Sequence, residues 1–132
     1  MNRLLLRRRI LLGIIMLSLG FWWQPERSLA NTGQQPQVPV PGMVTMVDLG
    51  AKKCIPCKMM APILQELQSE YRDRAAVIFI DVWENPEAAP QFSVRAIPTQ
   101  IFYDAQGKEV TRHEGFMDKQ SIVSTLTRLG VQ

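Results

Sequence analysis

The chain has 132 residues, of which 46% are hydrophobic, with 15 Lys and Arg against 12 Asp and Glu. This length suits about one domain. Residues 1–30 hold five of the basic residues and one acidic residue, so the later residues carry ten basic and eleven acidic side chains and a formal charge of −1. Because the basic excess lies in the first 30 residues, the rest of the chain offers no basic face, and we predict no nucleic-acid partner.

Residues 1–30 have the three-part pattern of a secretory signal peptide. Arginines begin the segment, the uncharged apolar run Ile10–Trp23 follows, and Ser28-Leu29-Ala30 puts small residues before a cleavage site. The apolar run has 14 residues, whereas a membrane-spanning helix needs about 20. We therefore predict a cleaved leader and a periplasmic or other extracytoplasmic location, with an uncleaved membrane anchor as the less favoured alternative.

After a Pro- and Gln-rich linker at residues 31–42, residues 43–132 form the predicted domain. Short apolar runs at 43–49 and 75–82 predict buried strands. Between them we predict a helix from Pro56, since proline suits a first helical turn and apolar residues follow at helical spacing. The apolar stripe of this helix recurs every four residues, with two further apolar residues beside it: Met59, Ile63, Leu67 and Tyr71, and beside them Met60 and Leu64.

The second half of the domain predicts a short helix, a hairpin and a last helix. Asn85-Pro86 is typical of a helix start, and that helix would end near Phe92. Two predicted strands, 99–103 and 109–114, flank a turn. The predicted cap of the last helix is Asp118, and Gly130 is its predicted terminator. The order β-α-β-α-β-β-α predicts an α/β fold, a sheet with helices on both faces.

The two cysteines, Cys54 and Cys57, lie where the first strand meets the first helix. An exported chain could use them as a structural disulfide, but a bridge that closes so short a loop stabilises a fold poorly. The free amides and the dipole at a helix N-terminus instead stabilise a thiolate. We therefore predict that Cys54, the outer thiol, is the nucleophile and that Cys57 resolves the mixed disulfide.

Three separated features follow one another along the chain: the segments VDLGAKKCIPCKMMAPIL and NPEAAPQFSVRAIPT, and then Gly115. Together they resemble the thioredoxin family, from about Val44 to Leu129. The resemblance implies a thioredoxin-like fold with a central mixed sheet. It also implies thiol–disulfide exchange through a redox-active Cys54–Cys57 disulfide, with no cofactor.

The resemblance also implies which residues meet the substrate. By position, Pro98 would be a cis-proline beside the cysteine pair. The backbone of Ile97 would pair with an extended substrate segment by strand addition, and Ile55 and Pro56 would complete the substrate-binding residues. The alternative for Pro98 is an ordinary turn proline.

Asp48 is a lone acid in an apolar strand. The resemblance implies that it is the buried proton acceptor of Cys57, with a pKa raised by desolvation. The alternative is a structural acid. Thioredoxins pair this acid with a lysine, and here an apolar residue near Ile78 or Ile80 takes the place of that lysine.

Gly50 and Lys53 stand where thioredoxins usually have tryptophans, and Ile55 stands where they have glycine. These departures predict a redox partner other than a cytosolic reductase. In exported relatives the electrons often come from a membrane-embedded thiol transporter, and we expect such a reductant here, with disulfides of exported proteins as substrates. We expect a monomer that acts as a protein-disulfide reductase. A disulfide-forming oxidant uses the same sulfur chemistry and stays an alternative.

Metal binding is the main alternative from another functional class. Two cysteines and His113 fall short of the four ligands of a structural zinc site, and Lys58 stands where a c-type haem signature needs histidine. A two-thiolate Cu(I) site, as in a metallochaperone, is chemically feasible because soft ligands suit that ion. We predict no metal, because Met59 and Met60 fit the apolar face of the helix instead.

Overall fold

The computed structural model describes residues 36–132, which form strands and helices in the predicted order β-α-β-α-β-β-α. The strands are β1 (Thr45–Gly50), β2 (Ala76–Asp81), β3 (Thr99–Tyr103) and β4 (Glu109–Glu114), and the helices are α1 (Ile55–Glu70), α2 (Ala88–Gln91) and α3 (Lys119–Arg128). The predicted leader, residues 1–30, and residues 31–35 of the predicted linker lie outside the described residues. The predicted fold class is confirmed.

The strands form one mixed sheet in the order β2-β1-β3-β4. β1 and β2 are parallel, whereas β3 is antiparallel to both β1 and β4. In this register Asp48 of β1 lies between Phe79 of β2 and Gln100 of β3, and Gln100 pairs in turn with His113 of β4. Side chains that pair across strands share a face of the sheet, so these four residues form a row on one face.

Hydrophobic clusters cover both faces of the sheet, as the order of elements predicts. On the first face the sheet packs against α1 and α3, through Met46, Phe102, Met60, Leu64, Ile122 and Leu126. On the second face it packs against α2, through Val47, Leu49, Ile101 and Ala88. Because side chains alternate along a strand, Asp48 and Gly50 share the first face with Met46, under α1.

The buried stripe of α1 differs from the predicted one. Met59 is 54% exposed, whereas the buried positions are Cys57, Met60, Leu64 and Leu67, followed by Tyr71 at the helix end. This stripe alternates steps of three and four residues, which keeps it on one face of a helix with 3.6 residues per turn. A strict step of four drifts around the helix, so the predicted stripe was wrong at Met59.

The second helix also differs from its prediction, because it begins at Ala88 instead of Pro86. The side-chain amide of Asn85 donates to the carbonyl oxygen of Asp81 at 2.9 Å, so it binds the end of β2. The other predicted caps are present. The Asp118 carboxylate accepts a hydrogen bond from the Ser121 amide at the start of α3. Within residues 36–132, no helix is long and apolar enough to cross a membrane.

The last residues of the predicted linker lie against the domain. Val38 packs against the second-face cluster, and the amide of Val40 donates to the Thr45 hydroxyl at 3.0 Å. Pro39 lies close to the hairpin turn, where a side chain on Gly107 would come within 3.2 Å of it. Three residues of the predicted linker, Val38, Pro39 and Val40, therefore contact the domain.

Candidate functional site

The cysteine pair lies at the N-terminus of α1, as predicted. Cys54 is the N-cap residue in an extended conformation, and its sulfur accepts a hydrogen bond from the Cys57 amide at 3.4 Å. The two residues are joined by a disulfide, with their Cα atoms 5.2 Å apart. Cys54 is half-buried and Cys57 is only 3% exposed. The outer sulfur is therefore the one that a substrate reaches first, at the positive end of the helix dipole.

The loop before Cys54 is fixed to the end of β2 by Asp81. Its carboxylate accepts hydrogen bonds from the amides of Lys52, Trp83 and Glu84 at 2.9–3.1 Å. Burial tends to raise the pKa of Asp81, but these amides together with Lys52 lower it below its usual value. The Lys52 ammonium pairs with Glu84 at 2.7 Å. The positive charge of Lys52 beside the cysteine pair is therefore partly neutralised by Glu84.

Asp48 is fully buried on the face of the sheet that α1 covers. The Gln100 amide nitrogen donates to its Oδ1 at 2.7 Å, while its Oδ2 has no hydrogen-bond partner among the described residues. Desolvation raises the pKa of Asp48 from 3.8 to about 6, and the Gln100 hydrogen bond offsets part of this rise. Near neutral pH such a carboxyl can both accept and release a proton.

The residue beside Asp48 on β2 is Phe79, between the predicted positions Ile78 and Ile80. Phe79 also approaches Gly50, since a Cβ atom on Gly50 would lie 3.1 Å from the Phe79 ring and 3.3 Å from the Cys57 sulfur. An open cavity of about 320 Å³ lies against Cys57 and Phe79, with Lys58 and Leu64 also in its wall. Cys57 is therefore bordered by an aromatic ring on the β2 side.

The predicted substrate residues lie in two segments: Ile55 and Pro56 begin α1, and Ile97 and Pro98 lie in the loop before β3. The Ile97–Pro98 peptide bond is cis, the conformation that the resemblance implies. Thr99 at the start of β3 pairs with Leu49 near the end of β1. Pro98 and the loop that leads to Cys54 therefore lie at the same end of these two strands. The Gly115 amide donates to the Pro98 carbonyl at 2.8 Å.

Exposure differs among the predicted substrate residues. Ile55 is 76% exposed, Pro56 is exposed, Ile97 is half-buried and Pro98 is buried. Their substrate-binding role stays a prediction.

Gln100 was missed by the sequence reasoning, although a signal for it was present. It is a polar residue in the strand TQIFY, two positions before Phe102, and side chains two positions apart share the face of the sheet on which Phe102 is buried. Such a buried amide needs a partner, and Asp48 supplies one. Within residues 36–132, no group of three or more His, Cys, Asp or Glu side chains could hold a metal ion.

Comparison with known proteins connects this geometry to one family. The thioredoxin family model matches residues 30–128. A thioredoxin of Staphylococcus aureus is 39% identical over 85 residues, which are 64% of this chain and 81% of the relative. A thioredoxin of Staphylococcus haemolyticus is 40% identical with the same coverage. The structure of Fasciola hepatica thioredoxin has a TM-score of 0.59 and 36% identity, over 67% of this chain and 82% of that one.

Proposed function

This chain belongs to the thioredoxin family and is a thiol–disulfide oxidoreductase, and on that premise we propose that it reduces disulfides of exported proteins outside the cytoplasm. The observation that carries the proposal is the cysteine pair, with Cys54 accessible at the N-terminus of α1 and Cys57 buried behind it.

In the proposed reaction, the Cys54 thiolate attacks one sulfur of a substrate disulfide. A bond forms between Cys54 and that sulfur, and the other substrate sulfur leaves as a thiolate, which takes a proton from water. Cys57 then attacks the Cys54 sulfur, which forms the Cys54–Cys57 disulfide and releases the second substrate thiol. The substrate gains two electrons, and the protein dithiol loses two.

The second step needs a base, because the attacking species is the thiolate and not the thiol. We assign this role to Asp48, which lies on the same face of the sheet as Gly50, where a Cβ atom would lie 3.3 Å from the Cys57 sulfur. With a pKa of about 6, Asp48 is mostly ionised at neutral pH and can take the proton of Cys57. It would then pass this proton to the departing thiolate.

The proposed substrate contact is an extended segment that pairs with the backbone of Ile97, beside Pro98. Two exposed apolar side chains support this position. Ile55 is 76% exposed between the cysteines, and Phe116 is 40% exposed directly after Gly115. Apolar exposure beside a reactive sulfur is typical of a surface that binds unfolded or extended protein segments.

The proposed location and the proposed reductant are both inferred from the amino-acid sequence. The signal-peptide pattern of residues 1–30 supports export. A membrane-embedded thiol transporter is the proposed electron donor, since Gly50, Lys53 and Ile55 replace residues that thioredoxins usually have around the cysteine pair. Charge and side-chain size therefore differ from the usual thioredoxin surface at the point where a reductase would bind.

The test is reduction of insulin by the reduced protein, followed by turbidity. We expect activity in the intact protein and none with Cys54→Ser, while Cys57→Ser should accumulate a mixed disulfide with insulin. Lys108→Ser, at an exposed position between β3 and β4, is the matched surface control and should keep the activity of the intact protein. If the intact protein fails to reduce insulin and instead takes up one Cu(I) ion per molecule, the Cu(I)-binding alternative replaces this proposal.

The direction of electron flow is tested by the reduction potential of the Cys54–Cys57 couple against glutathione. A value near about −270 mV, as in thioredoxin, supports reduction of substrates. A value near about −120 mV, as in strong disulfide-forming oxidants, would reverse the proposed direction.

A further inference from the structure

A row of side chains crosses the sheet beneath the N-terminal half of α1. Phe79, Asp48, Gln100 and His113 pair in register from β2 to β4. Gln100 and Asp48 are fully buried, whereas His113 is exposed and its Nε2 lies 3.2 Å from the Phe116 carbonyl oxygen. The buried part of the row is therefore a carboxyl and an amide that face each other.

The Gln100–Asp48 contact leaves two oxygen atoms without a partner. Gln100 donates through Nε2 to Asp48 Oδ1 at 2.7 Å, while Asp48 Oδ2 and Gln100 Oε1 are buried and accept no hydrogen bond from the described residues. Buried polar atoms without partners are rare and costly in folded proteins. A donor that arrives during the reaction would satisfy Oδ2.

We propose that Gln100 is a positioning residue, which binds one oxygen of Asp48 so that the other oxygen receives the proton of Cys57. The inference rests on the proposed role of Asp48 as proton acceptor. In addition, Gln100 would determine which oxygen of Asp48 accepts the proton and at which pH it does so. Gln100 itself exchanges no proton and touches no substrate.

The chemistry of the amide suits this role. A carboxylate that accepts a hydrogen bond is stabilised in its charged form. A neutral donor does this more weakly than a lysine ammonium, so the carboxylate keeps enough basicity to take a proton from a thiol. Because β2 supplies Phe79 beside Asp48, the donor comes from β3.

The side chains that surround Asp48 come from β2, β3 and α1. β2 contributes Phe79, which carries no charge, and β3 contributes Gln100. α1 contributes two titratable side chains to the cavity wall, Cys57 and the exposed Lys58. The loop before α1 contributes Lys52, whose ammonium pairs with Glu84. The pH dependence of the Cys57 step should therefore respond to the Gln100 hydrogen bond.

The test uses an aromatic disulfide whose released thiol absorbs visible light, mixed with the reduced full-length protein in a stopped-flow instrument. The first thiol is released when Cys54 attacks, and the second is released when Cys57 resolves the mixed disulfide. The rate of the second release is measured from pH 5 to pH 9. Gln100→Met removes the donor at nearly constant volume, and Gln100→Lys replaces it with an ammonium.

With Gln100→Met, we expect the pH profile of the second release to move to higher pH by about one pH unit, since a hydrogen bond to a charged group is lost. With Gln100→Lys it should move to lower pH, and the profile of the first release should not move in either variant. General destabilisation cannot produce opposite shifts. If Gln100→Met does not fold, the direction measured with Gln100→Lys decides.

Two further variants separate failure of this inference from failure of the proposed function. Ile101→Val, on the opposite face of β3, is the matched control and should leave both profiles unchanged. Asp48→Asn should slow the second release and remove its dependence on Gln100. If Asp48→Asn has this effect and the Gln100 variants keep the wild-type profile, the positioning role is overturned while the role of Asp48 stands. If Asp48→Asn leaves the second release unchanged, both are overturned.

Discussion

Replacement of Asp48 with asparagine removes a buried negative charge while it keeps the shape of the side chain. Asp48 is fully buried, and its Oδ2 has no partner among the described residues. In Asp48→Asn, the new amide can donate to Gln100 Oε1, which also lacks a donor, and its oxygen can still accept from Gln100 Nε2. The substitution therefore removes the free-energy cost of burying a charge and keeps the size and shape of the side chain.

The size of this cost follows from the pKa. Desolvation raises the pKa of Asp48 from 3.8 to about 6, against the opposing Gln100 hydrogen bond. At 1.36 kcal/mol per pKa unit, the ionised carboxylate costs the folded state about 3 kcal/mol. Because the folded pKa is the higher one, this cost is absent well below the unfolded pKa of 3.8, where both states are protonated. It grows as the pH rises from 3.8 to about 6 and is complete above that range.

The measurement is urea unfolding of the oxidised protein and of Asp48→Asn between pH 4 and pH 8. We expect similar free energies of unfolding near pH 4 and a gain of about 3 kcal/mol for the variant at pH 8. Other carboxyls titrate in both proteins and cancel in the difference. Asp81→Asn is the matched control, because the hydrogen bonds that lower the pKa of Asp81 should make that variant less stable than the wild type at pH 8.

A difference in unfolding free energy between Asp48→Asn and the wild type that stays constant from pH 4 to pH 8 would contradict a raised pKa of Asp48. It would mean that Asp48 has an ordinary pKa in the folded protein. A variant that becomes less stable than the wild type at pH 8 would mean that the carboxylate is stabilised by a charged partner, against the uncharged neighbours Phe79 and Gln100.

Three further predictions concern neighbours of the site. Phe79→Lys should place an ammonium beside Asp48 and lower its pKa, which carboxyl NMR titration measures; an unchanged pKa would contradict the register. Gly50→Ala should cost about 1–3 kcal/mol of unfolding free energy, since its Cβ would lie 3.1 Å from the Phe79 ring, and Phe79→Leu should reduce that cost. Met60→Ala should lower the free energy of unfolding by about 2–5 kcal/mol, and the exposed Met59→Ala should lower it by less than about 0.5 kcal/mol. Equal losses would mean that Met59 is as buried as Met60.

Much of the fold could be predicted because its signals are local. The strands at 99–103 and 109–114 have the predicted bounds, since the turn between them contains Asp104, whose carboxylate accepts from two turn amides. Asp118 and Gly130 mark the ends of α3 as predicted, through a side-chain cap and a glycine with φ of +92°. Such signals act over a few residues, so the sequence displays them directly.

The partners of Asp48 could not be predicted, because they depend on strand register. Phe79 lies 31 positions and Gln100 lies 52 positions along the chain from Asp48, and nothing local connects them. The sequence indicated that an apolar residue near Ile78 or Ile80 takes the place of the lysine, and the strand register identifies it as Phe79, which lies between them. A shift of one residue moves a strand side chain to the opposite face, so the register decides which of these residues meets the carboxyl.

Gly50 and Phe79, two departures from the usual thioredoxin pattern, form one connected arrangement with Asp48 and Gln100. Gly50 has no side chain, and the Phe79 ring lies within 3.1 Å of the position that its Cβ would take. With an aromatic ring on β2, Asp48 has no ionic partner there, and Gln100 on β3 supplies its hydrogen bond instead. A change at position 79 that brings back a charge therefore competes with Gln100 for the same carboxyl. The effects of Phe79→Lys and Gln100→Met on the Asp48 pKa should accordingly be non-additive, and a double-mutant cycle in which the two effects simply add would show that the two strands act on Asp48 independently.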